Sequence, residues 1–111
     1  MNEMDFLRSK FDSGIEKIVL EYKGVDWWNE FYKIFGLHLV WKTGDTLKFH
    51  APNKEIKYIY IYNDFRITQS SDGLNDWNEA LLENGRLIFA TLDEMKAGIT
   101  IDIDEWLKLM G

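Results

Sequence analysis

Glu55-Ile56-Lys57-Tyr58-Ile59-Tyr60-Ile61-Tyr62 is the most regular stretch of the chain. Alternation of this kind gives a β-strand two distinct faces, because successive side chains point to opposite sides. Tyr58, Tyr60 and Tyr62 share one face; Lys57, Ile59 and Ile61 share the other. A sheet is therefore expected at the centre of the molecule. Pro52-Asn53 supplies the turn before this strand, and Asn63-Asp64 turns it into the next, Phe65 to Gln69.

Upstream, Leu37, Leu39 and Trp41 alternate with His38 and Val40, and Leu47 and Phe49 alternate with Lys48 and His50. A two-residue loop between these runs would pair His38 with Phe49 and mix the faces. A three-residue loop, Lys42 to Gly44, pairs Leu39 with Leu47 and Leu37 with Phe49, and puts glycine where a left-handed backbone is needed. The sequence predicts a hairpin of that register.

Before the hairpin, Leu7, Phe11, Ile15, Ile18 and Tyr22 recur at three- and four-residue steps. That spacing predicts a helix over Met4 to Lys23, with Gly14 as its weak point and capping-box spacing between Ser13 and Glu16 marking a place where it can break and restart. Asp26 is positioned to cap a second helix, Trp27 to Phe35, closed by Gly36. Its aromatic face is wider than one small sheet covers, which leaves part of it for a partner.

Downstream, Asn75 caps a helix over Asp76 to Glu83 that Asn84-Gly85 stops, and Arg86 to Ala90 reads as a strand. Thr91 and Glu94 box a helical turn ended by Gly98, Ile99 to Asp102 is a short strand, and Asp104 caps a last helix, Glu105 to Met110. The expected fold is α+β: one domain over residues 1–111, with a mainly antiparallel sheet of about four to six strands. Two N-terminal helices and short C-terminal helices flank it.

Aromatic residues make up 15% of the chain, enough for a real core in a single domain of this length. Cysteine is absent, which excludes disulfides and thiolate metal sites. Acids stand at the N-terminus where a secretory signal carries basic residues, and no apolar run is long enough to span a bilayer, so a cytoplasmic protein without membrane contact is expected.

The net charge of −6 is unevenly placed. Residues 1–69 hold ten acids against ten Lys and Arg, whereas residues 70–111 hold nine acids against Arg86, Lys96 and Lys108. A field of that sign repels phosphate backbones and attracts basic surfaces. Direct nucleic-acid binding is the poorer expectation and a basic protein partner the better one.

Three groups of residues invite a chemical reading. His38, Lys48 and His50 share a face in the predicted hairpin, where two imidazoles and a lysine could cleave RNA or handle a phosphate. Alternation alone also predicts polar residues there. Asp45, Glu55 and Lys57 have the residue types of a magnesium-dependent nuclease, though this pattern is common by chance in charged chains. The C-terminal acids lack the oxygen spacing and glycine of a calcium loop. No nucleotide, metal or cofactor motif occurs, so no catalytic, cofactor or metal residue is assigned.

The expectation is a small acidic inhibitor that works by binding protein, most concretely a bacterial immunity protein that sequesters and neutralises a basic, nuclease-type toxin. A phage anti-defence inhibitor would follow the same physical logic, and a small phosphate-handling enzyme using His38, Lys48 and His50 is the chemical alternative. The expected partner-binding residues are Asp72, Asp76, Glu79, Glu83, Asp93, Glu94, Asp102, Asp104 and Glu105, with Tyr58 and Tyr60 as aromatic anchors.

Overall fold

The computed structural model describes residues 4–52 and 55–96. The elements run α1 (Asp5–Asp12), β1 (Lys17–Glu21), α2 (Val25–Phe35), β2 (Val40–Trp41), β3 (Tyr58–Tyr62), β4 (Arg66–Ser70), α3 (Asp76–Glu83) and β5 (Leu87–Phe89), followed by a helical turn over 92–96. The sheet has five strands in the order β2-β4-β3-β1-β5, so the Tyr58–Tyr62 strand is its centre. β3 pairs antiparallel with both β1 and β4. Both outer pairs, β1 with β5 and β2 with β4, are parallel. The fold is α+β, with a mixed sheet in place of the mainly antiparallel one expected.

Alternation along β3 builds two cores. Ile59 and Ile61 join Ile18, Leu20 and Ile67 beneath Leu7 of α1 and Trp28, Phe31 and Phe35 of α2, all fully buried. On the opposite face Tyr60 packs with Val19, Leu87 and Leu81 of α3, with Tyr58 and Tyr62 at the margins. Leu92 and Met95 of the 92–96 turn belong to the first core, so this turn and α3 lie on opposite sides of the sheet.

The predicted helix over Met4 to Lys23 is the largest correction. It ends at Asp12, and after Gly14 the chain becomes strand β1. Gly14 has φ +106°, a conformation that side chains oppose, and the chain there leaves the helix altogether. Ile18, Val19 and Leu20 are then buried together, Ile18 and Leu20 in one core and Val19 in the other. Three consecutive buried residues fit a strand covered on both faces better than one stripe of a helix.

The Leu37–His50 hairpin shrinks to its base. Val40 bridges Thr46 and the Trp41 amide donates to the Asp45 carbonyl at 2.8 Å, with Gly44 at φ +97°. This is the register of the three-residue loop. Beyond it the ladder stops: the Trp28 indole donates to the carbonyls of both Lys48 and Phe49 at 3.2 Å, turning that segment toward α2. Leu37 is consequently 94% exposed, not paired with Phe49, and β2 finds its long partner in β4.

α2 starts after Gly24 and carries Asp26 in its first turn; Asp26 does not cap it. Its aromatic face is covered more fully than expected. Trp28, Phe31 and Phe35 are buried, and half-buried Trp27 stacks on Phe31 at 5.4 Å. Asn75, by contrast, caps α3 as read from sequence, its side chain accepting from the Asn78 amide at 2.8 Å. The predicted strand Ile99–Asp102 and helix Glu105–Met110 lie outside the described residues, as does part of the turn at Pro52-Asn53.

Candidate interaction surface

α3 turns Asn78 and Leu81 inward and leaves Asp76, Glu79 and Glu83 exposed along its outer side. Asp72 is exposed in the loop leading to it. The helix carries no basic residue in its last turn. Asp76 and Glu79 near the N-terminus suit the helix dipole, but Glu83 stands at the end where the dipole favours cations. Glu79 and Glu83 are also four residues apart, a like-charge spacing that opposes helix formation. Glu83 is thus a charge the helix itself does not require.

Trp77 follows Asp76 in the first turn of α3, on the flank of the helix between the acidic stripe and the buried Leu81. It is 67% exposed, an unusual position for the largest apolar side chain. At the same end of the sheet Tyr58 meets Phe89 edge-on at 5.9 Å, and Phe89 is 46% exposed. β4 ends at Ser70, opposite Tyr58, and α3 begins a few residues later, so its first turn starts from this end. Acids and partly exposed rings therefore share one side of the molecule.

Tyr60 does not belong to that surface. It is 5% exposed, packed against Val19 and Leu81. Burial pushes its hydroxyl above the ordinary tyrosine pKa, the neighbouring Tyr58 and Tyr62 add to the rise, and a side-chain hydrogen bond with Asn78 opposes it. Of the two expected anchors only Tyr58 reaches the surface. Trp77 and Phe89 were missed because each sits within an apolar pattern: Trp77 stands three residues after Leu74 and four before Leu81, and Phe89 belongs to the run Leu87-Ile88-Phe89, so spacing reads both as core.

The acids expected to act together are divided. Asp93 and Glu94 belong to the 92–96 turn on the α2 side, across the sheet from α3. Glu94 is engaged locally, since its carboxylate accepts from the Thr91 hydroxyl at 3.2 Å while its amide donates back to that oxygen at 3.1 Å. Asp102, Asp104 and Glu105 lie outside the described residues.

The chemical alternatives are placed as follows. Lys48 and His50 line an open cleft of about 600 Å³ with Trp41, Asp45 and Gln69. His38 is exposed at the end of α2 and is not among the residues lining it. The face shared by His38, Lys48 and His50 in the predicted hairpin is lost with the ladder that would have made it. Asp45 accepts from the Thr43 hydroxyl at 2.9 Å inside its turn. Among the described residues no three His, Asp or Glu side chains are grouped to hold a metal ion. No helix among them is long and apolar enough to cross a membrane. Comparison with protein-family models gives no match, and neither curated proteins nor solved structures match the chain.

Proposed function

We propose that this chain is a protein-binding inhibitor whose working surface is the outer side of α3 with its flanking rings. An immunity protein that neutralises a basic, nuclease-type toxin is the most concrete form. A phage anti-defence inhibitor is the other. The observation that carries the reading is Trp77, two-thirds exposed on the same helix that presents Asp76, Glu79 and Glu83 to solvent. Acids of one sign steer a cationic partner into place, and a large ring that loses its water on contact supplies affinity.

The two contributions separate kinetically. Reversing Asp76, Glu79 and Glu83 to Lys removes steering, so association with the partner slows by about tenfold or more at low salt and loses its salt dependence. Trp77→Ala leaves association nearly intact and speeds dissociation, because a desolvated anchor acts after encounter. An association rate indifferent to both salt and the charge reversals would remove steering from the mechanism. The melting temperature is the control in each case.

A further inference from the structure

We propose that the Tyr62 end of the tyrosine face, at the margin of α3, is an anion site that takes a phosphate group. Two ammonium groups converge on one ring there. Lys42 Nζ stands 3.8 Å from the Tyr62 ring centroid and Lys17 Nζ 5.2 Å from it. Lys17 comes from β1, next to β3, and Lys42 from the end of β2, reaching across β4. Like charges gathered about one ring repel, and an anion above them relieves the repulsion.

The cluster is held in position. Lys17 Nζ donates to Asn78 Oδ1 at 2.8 Å, and Asn78, 7% exposed, is the buried polar side chain among the described residues. A neutral amide fixes the ammonium without neutralising it, which a carboxylate would do. The Tyr62 hydroxyl shares a hydrogen bond of 3.2 Å with the hydroxyl of Thr68. Alternation along β4 places Arg66 on this face too, where its guanidinium donates to the Lys42 carbonyl at 3.1 Å and lies 3.8 Å from Asp64. An open depression of about 340 Å³ at the β2 edge adjoins the cluster, lined by Lys42 and Thr68 but not by Lys17, Tyr62 or Arg66. The Asp45 carboxylate also lines it, and it is tied to Thr43.

Charge selects the ligand class. Lys17 and Lys42 supply two ammonium groups while Arg66 is paired with Asp64, and two ammonium groups suit a group with several acceptor oxygens better than a single carboxylate. The overall charge of −6 opposes long-range attraction of such an anion, so recognition rests on these side chains at short range. Inorganic phosphate and a phosphomonoester both fit this chemistry. The site is independent of the acidic surface on the outside of α3.

The test is an NMR titration of the isotope-labelled full chain with inorganic phosphate and, separately, ribose 5-phosphate, each against chloride at matched ionic strength. Saturable shifts at Lys42, Thr68 and Tyr62 are expected, and tighter binding of either probe identifies the source of the phosphate. Lys42→Gln weakens binding by about tenfold, and Lys17→Gln does the same, whereas Lys33→Gln on α2 leaves it unchanged. Lys42 is exposed, so its variant folds even where Lys17→Gln does not. Shifts that stay linear in phosphate, that chloride reproduces, or that survive Lys42→Gln would overturn the proposal.

Discussion

At the scale of single residues, the two ends of the burial range make opposite predictions for the same side chain. Trp28 is fully buried, stacks on Trp41 at 6.1 Å and anchors two carbonyls through its indole. Trp28→Ala should cost about 3–5 kcal/mol in chemical denaturation. Trp77→Ala, at an exposed position, should leave the denaturation midpoint close to wild type. Phe65 gives a finer test. It holds φ +63° in the turn after β3 while its ring meets Phe11 edge-on at 5.8 Å. Replacing it with Ala or Gly removes the ring in both cases, but only Gly relieves the backbone, so Phe65→Gly should be about 1 kcal/mol more stable than Phe65→Ala. Tyr60 sets an alkaline limit. Its folded pKa is raised by burial, so an unfolded chain gives up the proton near pH 10 while the folded chain retains it. Stability is whole below that value and falls as pH climbs above it toward the folded pKa. Tyr60→Phe should flatten this part of the pH–stability profile.

At the scale of elements, what could be read in advance followed from how local the signals were. α3 was legible to its ends because both stops are local chemistry: Asn75 caps the start and Gly85, at φ +72°, follows the finish. Asn75→Ala should lower stability by about 1 kcal/mol, measured by thermal unfolding. β3 was legible because its alternation matches a sheet covered on both faces. The stretch after Gly14 was misread because Ile15, Ile18 and Tyr22 continue a helical spacing by coincidence, while Ile18-Val19-Leu20 is equally a short buried strand. Only pairing with β3 and β5, distant in sequence, decides between them. The hairpin failed for a similar reason. Its turn chemistry placed the base correctly, but hydrogen bonds from Trp28, twenty residues earlier, took the strand that followed. Parallel pairing of β2 with β4 left no mark in either segment.

At the scale of the whole molecule, counting charge along the chain and seeing it on a surface proved to be different things. The acidic tail third read as one patch in sequence, yet the sheet passes between Asp76, Glu79 and Glu83 on one side and Asp93 and Glu94 on the other. Cations are gathered as well, with Lys17 and Lys42 both held against Tyr62. The binding proposal therefore rests on α3 rather than on the tail as a whole. The most direct measurement places a photo-crosslinking phenylalanine analogue at position 77, and separately at exposed position 33 on α2, followed by irradiation in an extract of the native cells and mass spectrometry. Position 77 should capture a discrete basic protein that position 33 does not, and reversal of Asp76, Glu79 and Glu83 to Lys should abolish the capture. The same products from both positions, or capture that survives the reversal, would contradict a partner surface on α3.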